Sequence, residues 1–187
     1  MLNPATSGVE LPDDALLKKF DVPAPRYTSY PTADRFHAGF TAADYEAALA
    51  GRGEAAKKAG LSLYCHIPFC NDVCYYCGCN KIVTRDHARS AEYMKVMLEE
   101  ADLVGEKLTG TRTLEQLHWG GGTPTFLTDD EILFLMGEIQ KRFPFEADGE
   151  FSIEVDPRSC PPSKVKTLKQ AGFNRMSLGV QDFNPEV

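Results

Sequence analysis

The sequence lacks the features that mark membrane, nucleic-acid-binding and secreted proteins. No apolar run reaches the roughly 20 residues of a membrane-spanning helix. Acidic residues outnumber basic ones by 27 to 20, and no stripe of Lys and Arg that could bind phosphate groups is visible. Residues 1–14 lack the basic and apolar regions of a signal peptide. We therefore expect a cytoplasmic protein with reduced thiols and with neither a nucleic-acid nor a membrane partner.

Hydrophobic residues make up 43% of the chain and alternate between strand and helix patterns. The apolar runs predict four strands, and the amphipathic segments between them predict three helices, one of which opens with a capping box at Thr128 and Glu131. The predicted strands are residues 61–66, 114–119, 150–155 and 175–180, and the helices are residues 87–107, 128–143 and 161–172. This alternation is typical of a parallel sheet. The predicted fold class is α/β, the first part of a parallel βα barrel.

A different region precedes this series. Residues 1–55 are predicted to form an N-terminal extension of coil with a short helix near residues 13–20, and residues 56–187 the partial barrel. Within the extension, residues 25–32 place two prolines around aromatic and hydroxyl side chains, which favours an extended or turned backbone.

Five of the six cysteines lie within residues 61–80, LSLYCHIPFCNDVCYYCGCN. Cys70, Cys74 and Cys77 have the spacing C-x3-C-x2-C, which is short enough for one loop to bring three thiolates to one inorganic centre. A cluster of four irons held by three cysteines leaves one iron open, and an open iron can bind and activate a small molecule.

A structural zinc site or a disulfide framework is an alternative interpretation of these cysteines. Structural zinc takes four ligands in a closed tetrahedron, and no second cysteine pair follows downstream. A disulfide framework belongs to small loop-rich domains in an oxidising compartment, which does not match an apolar-rich chain of 187 residues. The spacing favours an iron–sulfur loop, with a zinc-binding interaction module as an alternative.

This spacing resembles the signature of the radical S-adenosylmethionine (SAM) enzymes, in which the open iron chelates SAM. The longer stretches at residues 64–70 and 74–79 resemble the family of oxygen-independent coproporphyrinogen III oxidases, which carry a further cysteine two places after the third cluster ligand. The related haem chaperones share the HIPFC stretch but usually lack that cysteine, so Cys79 favours the oxidases. A haem chaperone that binds haem without this turnover is the alternative function.

The resemblance implies a 4Fe–4S cluster held by Cys70, Cys74 and Cys77, and two bound SAM molecules. A glycine run alone is typical of a tight turn, and a carboxylate at a strand end is typical of a solvated surface. Here the glycine run follows one strand and Glu154 lies at the end of another, and the carboxyl ends of both strands share one sheet edge. Glycine lets backbone N–H groups approach a ligand there. The two stretches also resemble the family's GGGTP and IEVDP segments. The residues that the resemblance assigns to SAM are Tyr64, Tyr76, Gly121, Gly122, Thr123, Glu154 and Gln181.

The resemblance also implies a reaction, the oxidative decarboxylation of coproporphyrinogen III to protoporphyrinogen IX in porphyrin and haem biosynthesis. An electron donor protein reduces the cluster, SAM is cleaved to methionine and a 5′-deoxyadenosyl radical, and the radical removes hydrogen from a propionate β-carbon. Loss of CO2 and an electron leaves a vinyl group. The segment at residues 25–32 resembles one near the family's active-site cleft, where Arg26 could meet a substrate carboxylate.

Members of the family are more than twice as long as this chain. The resemblance therefore implies that further barrel strands and a C-terminal helical domain lie outside these 187 residues. We expect the 187-residue chain alone to be inactive. We also expect it to expose the edge of its fourth strand and an apolar inner face of the partial barrel.

Overall fold

The structure is a computed structural model that describes residues 12–23, 32–75, 77–179 and 184. Its contacts divide the chain into two units, residues 1–41 and 42–187. The domain boundary predicted between residues 55 and 56 stays a prediction. Three residues of the predicted site, Arg26, Tyr76 and Gln181, lie outside the described residues.

The first unit contains helix α1 (Asp14–Phe20) and a 3-10 turn at Ala33–Arg35. Asp13 caps α1, because its Oδ1 atom accepts the backbone N–H of Leu16 at 2.7 Å. The short helix predicted near residues 13–20 is therefore confirmed.

The second unit is built mainly of strands that alternate with helices. In chain order it contains α2 (Ala42–Ala50), α3 (Glu54–Lys58), β1 (Leu61–Ile67), β2 (Phe69–Cys70), β3 (Ile82–Val83), α4 (Ala88–Lys107), β4 (Leu114–Gly121), α5 (Asp129–Arg142), β5 (Phe145–Val155), α6 (Pro162–Ala171) and β6 (Arg175–Leu178). None of the helices in the described ranges is both long and apolar enough to cross a membrane.

Four of these strands form one parallel sheet in the order β1-β4-β5-β6. Each strand is joined to its neighbour by one helix, α4, α5 or α6, so spatial order follows chain order. Parallel strands need such crossovers, because a short turn cannot return the chain to the same end of the sheet. The predicted α/β class and parallel sheet are confirmed.

Strand β5 begins five residues earlier than predicted, at Phe145 instead of Glu150. Leu114 pairs with Phe145, and Gln116 pairs with Glu150. Between these two pairs the chain advances two residues in β4 but five in β5, so the pairing is irregular here. Residues 146–149 contain no large apolar side chain, so a search for alternating apolar residues does not detect this part of the strand. Phe145 belongs to the sheet because its ring stacks on that of Phe151, with centroids 4.4 Å apart.

The helices cover one face of the sheet and form the core with it. Strand residues on this face include Cys65, Ile67, Trp119 and Ile153, which are at most 5% exposed. They belong to one hydrophobic cluster with buried residues of α4, α5 and α6, namely Met94, Leu98, Ile132, Leu135, Met136, Ile139 and Leu168.

The opposite face of the sheet is polar, so the expected apolar inner face is wrong for the described strands. Successive side chains of a strand point to opposite faces, and in β1 this places Ser62, Tyr64 and His66 away from the core. The strand pairing arranges the polar face in three layers. They are Ser62, Gln116 and Glu150; then Tyr64, His118, Ser152 and Arg175; then His66, Gly120, Glu154 and Ser177.

Candidate functional site

The cysteine loop leaves the sheet at the carboxyl end of β1 and returns beside its own starting point. Strands β2 and β3 pair in parallel, with Phe69 opposite Ile82 and Cys70 opposite Val83. The N–H of Ile82 donates to the carbonyl of Pro68 at 2.7 Å, and the N–H of Thr84 donates to that of Cys70 at 2.9 Å. These bonds fix both ends of the cysteine loop, residues 70–81, which begins at the second residue of β2. The sequence did not predict this strand pair, because each strand has only two residues.

The three predicted cluster ligands are free thiols on this loop. Cys70 is buried, whereas Cys74 and Cys77 are half-buried. The N–H of Cys77 donates to the carbonyl of Cys74 at 3.2 Å, which closes a turn between them. Two thiols have donors from elsewhere: Thr123 Oγ1 lies 3.3 Å from Cys70 Sγ, and Arg158 Nη2 lies 3.6 Å from Cys74 Sγ.

The electrostatic surroundings of the thiols differ along the loop. A backbone hydrogen bond from Cys79, together with Lys81, lowers the pKa of Cys77. Burial raises the pKa of Cys70, and the hydrogen bond from Thr123 opposes this effect. Cys79 is exposed on the outer part of the loop, and its pKa is raised, first by burial and then by the charge of Cys77.

The donor set fits an iron–sulfur cluster. Such clusters are held by cysteine sulfurs, and hydrogen bonds to these sulfurs adjust the reduction potential of the cluster. Cys70 and Cys74 each provide a sulfur that accepts such a hydrogen bond. Within the part of the chain that the structure describes, no three His, Cys, Asp or Glu side chains surround a single metal position. A cluster does not require such convergence, because each thiolate binds a different iron.

The glycine run, residues 120–122, forms the end of β4 and lies directly against the cysteine loop. The N–H of Gly122 donates to the carbonyl of Ile67, and that of Thr123 donates to the carbonyl of Phe69, both at 2.8 Å. A β-carbon on Gly122 would lie 2.5 Å from the carbonyl oxygen of Pro68. The glycines are therefore needed for the close approach of two backbone segments.

The backbone donors of this run bond within the protein. Besides Gly122 and Thr123, the N–H of Gly121 donates to Glu154 Oε2 at 3.1 Å. The expectation that these N–H groups face a ligand is therefore wrong for residues 121–123, because each already has an acceptor. A ligand at this edge would instead meet the free lone pairs of Glu154.

Tyr64, on the polar face of β1, connects to the cysteine loop through His66. The hydroxyl of Tyr64 lies 3.0 Å from Nδ1 of His66, and Nε2 of His66 lies 2.9 Å from the carbonyl oxygen of Asn80. A carbonyl only accepts, so Nε2 carries the hydrogen and Nδ1 accepts from the Tyr64 hydroxyl. Burial raises the pKa of Tyr64, with a further contribution from Glu154, so the phenol remains a donor at neutral pH.

A second histidine joins Tyr64 to Glu154. The rings of His118 and Tyr64 stack at 5.9 Å with an interplanar angle of 21°. Nε2 of His118 lies 3.5 Å from Oε1 of Glu154, and Nδ1 lies 2.7 Å from Oγ of Ser152. The described structure thus brings together the predicted residues Tyr64, Gly121 and Glu154.

The sequence analysis did not assign a role to His66, His118 or Arg158. The available signal for the histidines was their spacing, because His66 lies two residues after Tyr64 and His118 two residues before Gly120, on the same faces of their strands. Arg158 had no such signal. Its contact with Cys74 joins residues 84 positions apart and depends on the fold.

Comparisons with known proteins agree with these features. A sequence model described as the radical SAM superfamily matches residues 64–187. Proteins named oxygen-independent coproporphyrinogen III oxidase are similar to this chain. The one from Pseudomonas aeruginosa is 46% identical over 179 residues, which covers 94% of this chain and 38% of the relative. The one from Escherichia coli is 47% identical over 175 residues, which covers 94% and 37%.

A solved structure has the same fold. Coproporphyrinogen III oxidase from Escherichia coli, described as a radical SAM enzyme, superposes with a TM-score of 0.79 at 44% sequence identity. The match covers 92% of this chain and 37% of the solved chain. This chain therefore spans a little over a third of the length of the relatives it matches.

Proposed function

Because this chain belongs to the radical SAM superfamily, we propose that it forms the cluster-binding and SAM-binding part of an oxygen-independent coproporphyrinogen III oxidase. The observation that carries the proposal is the position of Cys70, Cys74 and Cys77. These three thiols lie on one loop at the carboxyl end of β1, against the end of β4, where ligands of parallel α/β folds bind. The similarity to relatives with that name supplies the reaction.

The three cysteines are proposed to hold a 4Fe–4S cluster with one iron open to SAM. Thr123 and Arg158 donate to the sulfurs of Cys70 and Cys74, and hydrogen bonds of this kind adjust the reduction potential of a bound cluster. Cys79 is proposed to lie outside the ligand set, since a fourth thiolate would close the open iron.

One SAM molecule is proposed to bind across the carboxyl ends of β1, β4 and β5. Glu154 would accept hydrogen bonds from the ribose hydroxyls, because each of its oxygens has one protein contact and keeps further lone pairs. Tyr64 offers an aromatic face beside it, and Gly121, Gly122 and Thr123 are proposed to line the SAM site where the end of β4 meets the cysteine loop. Tyr76 and Gln181 are assigned to SAM, with a second SAM molecule, by their sequence match alone.

The reduced cluster and SAM, when bound, would supply the radical chemistry that removes a hydrogen atom from a substrate propionate. The role of the chain is to hold, orient and shield these groups. The polar layers of the open sheet face provide donors and acceptors for polar ligands, whereas the apolar face is closed by α4, α5 and α6.

The proposed partners are coproporphyrinogen III as substrate and an electron donor protein. We place the protein in the cytoplasm, where the six free cysteines would stay reduced. The net charge of −7 disfavours a nucleic-acid partner.

Because we expect the 187-residue chain alone to be inactive, the test uses a protein that contains this chain and has the full length of its relatives. It is reconstituted anaerobically with iron and sulfide and assayed for SAM cleavage and for coproporphyrinogen III conversion. The matched variants are Cys74→Ser, which removes a proposed ligand, and Cys160→Ser, which removes a half-buried cysteine outside the loop. We expect SAM cleavage in the wild type and in Cys160→Ser, but not in Cys74→Ser. Haem binding without SAM cleavage would favour a haem chaperone instead, and a colourless protein with about one zinc per chain would favour the interaction module.

A further inference from the structure

We infer that His118 is a positioning residue that orients the carboxylate of Glu154 for the ribose hydroxyls of SAM. This inference rests on the proposed function, because it specifies how one proposed SAM contact is held in place. It is based on three contacts of the His118 ring, which are with Tyr64, Ser152 and Glu154.

The ring of His118 is fixed on two sides. In the strand pairing His118 lies opposite Tyr64 on β1 and opposite Ser152 on β5. Tyr64 stacks on one face of the ring, and Ser152 Oγ lies 2.7 Å from Nδ1. Ser152 itself is only 7% exposed and also bonds to the carbonyl of Leu117 at 3.2 Å. A buried hydroxyl with two fixed partners leaves the imidazole ring little freedom to turn.

The remaining ring nitrogen faces Glu154. Nε2 lies 3.5 Å from Oε1, which is a close electrostatic contact that is longer than an ordinary hydrogen bond. A carboxylate can only accept, whereas the hydroxyl of Ser152 can either donate or accept. When Ser152 donates to the carbonyl of Leu117, it accepts from Nδ1, and Nε2 carries a hydrogen towards Glu154 in the imidazolium form of the ring. When Ser152 instead donates to Nδ1, the neutral ring carries its hydrogen on Nε2, towards Glu154.

The two oxygens of Glu154 consequently have separate protein contacts. Oε2 accepts the N–H of Gly121 at 3.1 Å, and Oε1 faces His118. Each carboxylate oxygen still has a free lone-pair site, and two such sites side by side match two neighbouring hydroxyls of a ribose. Glu154 is about half-exposed in this structure, so without His118 its carboxylate would retain rotational freedom that binding must remove.

Two substitutions of His118 distinguish the contact made by Nδ1 from the contact made by Nε2. The amide of His118→Asn reaches the position of Nδ1 and can keep the contact with Ser152, but it cannot reach Glu154. The amide of His118→Gln reaches the position of Nε2 and can donate to Glu154. Gln116→Ala is the matched control, since Gln116 lies on the same face of β4 one layer away.

The measurement is equilibrium binding of S-adenosylhomocysteine and of its 2′-deoxy analogue to the same full-length protein after anaerobic reconstitution. We expect His118→Asn to weaken binding of S-adenosylhomocysteine about ten-fold, and His118→Gln and Gln116→Ala to change it less than about three-fold. The loss in His118→Asn should shrink for the 2′-deoxy analogue and in a Glu154→Gln background, because His118 acts only through Glu154 on the hydroxyls.

Wild-type affinity in His118→Asn would overturn the inference. So would a loss that stays undiminished in the Glu154→Gln background, since His118 would then act directly on the ligand or on the fold. Absence of any binding by the wild type would instead overturn the proposed function, and this inference with it. Should His118→Asn fail to retain its cluster, Ser152→Ala replaces it as the test, with an expected loss of about three-fold and with unchanged binding overturning the inference.

Discussion

The imidazole of His66 occupies the place where a side chain on Gly121 would have to stand. A β-carbon on Gly121 would lie 2.6 Å from Cε1 of His66, and the backbone of Gly121 has a φ of +112°, a value that side-chain-bearing residues rarely adopt. Since His66 also contacts the end of the cysteine loop at Asn80, this crowding connects the glycine run to the loop.

Gly121→Ala should therefore destabilise the protein and displace His66. Strain at a positive φ costs about 1–3 kcal/mol, and the clash adds to it. Urea unfolding measures the change. Gly137→Ala is the matched control, because Gly137 lies inside α5 and a β-carbon there meets no heavy atom within 4 Å. That change should stabilise by about 0.5–1 kcal/mol. Equal effects of the two substitutions would contradict the role given to the Gly121 backbone.

Single substitution of Cys70, Cys74 or Cys77 by Ser should remove the cluster. Each change deletes one of three proposed thiolate ligands, and thiolate ligation is what holds the irons. Iron and sulfide content after anaerobic reconstitution, together with visible absorbance, gives the readout. Cys79→Ser, on the same loop, should keep the cluster. If it lost the cluster while Cys74→Ser kept full iron content, the assigned ligand set would be wrong.

Arg158 should raise the reduction potential of a cluster bound at Cys74. Its guanidinium is held by Asp156 at 2.8 Å and donates to Cys74 Sγ, and a positive donor at a ligand sulfur stabilises the more negative, reduced form. Arg158→Gln should lower the midpoint potential by on the order of tens of millivolts. The effect is modest because the Arg158 side chain is 65% exposed to solvent.

Arg158→Lys is the control for charge, and it should restore part of the potential without the planar donor. A redox titration followed by electron paramagnetic resonance measures all three proteins. Identical potentials in wild type and Arg158→Gln would show that this contact does not reach the cluster.

Local sequence patterns were sufficient for the parts of the fold that depend on local periodicity. Strand β1, helix α4 and the capping box of Thr128 and Glu131 follow from apolar spacing and side-chain chemistry within a few residues, and the structure confirms them. The start of β5 was missed because it depends on how Phe145 pairs with Leu114, which no local pattern encodes.

The site was predicted less completely than the fold. Motifs identified Tyr64 and Glu154, but the contacts that join them pass through His118, whose importance depends on three neighbouring strands. The apolar inner face was expected because parallel strands are usually buried on both sides. In β1 the alternation of Tyr64 and His66 with Cys65 and Ile67 indicates one polar face, so this part could have been predicted from the sequence.

The capping box of α5 should contribute measurably to stability. The N–H of Glu131 donates to Thr128 Oγ1 at 3.3 Å, and that of Thr128 donates to Glu131 Oε2 at 2.8 Å, so both residues satisfy helix-terminal donors. Thr128→Ala should lower the free energy of unfolding by about 1 kcal/mol. Gln140→Ala, an exposed position on the same helix, should change it by less than about 0.5 kcal/mol. Urea unfolding that shows no difference between them would contradict the cap.

Asp129 should make the stability of the protein depend on pH in the acid range. Its Oδ1 atom accepts from Lys164 Nζ, and its Oδ2 atom accepts from Thr167 Oγ1, both at 2.8 Å, which links α5 to α6. The hydrogen bond from Lys164, and then that from Thr167, lowers the pKa of Asp129 below its ordinary value. A carboxyl group whose pKa is lower in the folded state stabilises the protein above its unfolded pKa of about 3.9 and loses this contribution as the pH falls through the folded value.

Asp129→Asn should therefore be less stable than the wild type at pH about 6, and the difference should narrow as the pH falls below about 4. Fluorescence of Trp119, the single tryptophan and fully buried, reports unfolding in urea, and both proteins are compared without metal so that acid loss of iron does not contribute. Asp148→Asn is the control, because Asp148 is exposed in β5. It should follow the pH dependence of the wild type. A gap between wild type and Asp129→Asn that stayed constant from pH about 6 to about 3 would show that Lys164 and Thr167 do not stabilise the charged form of Asp129.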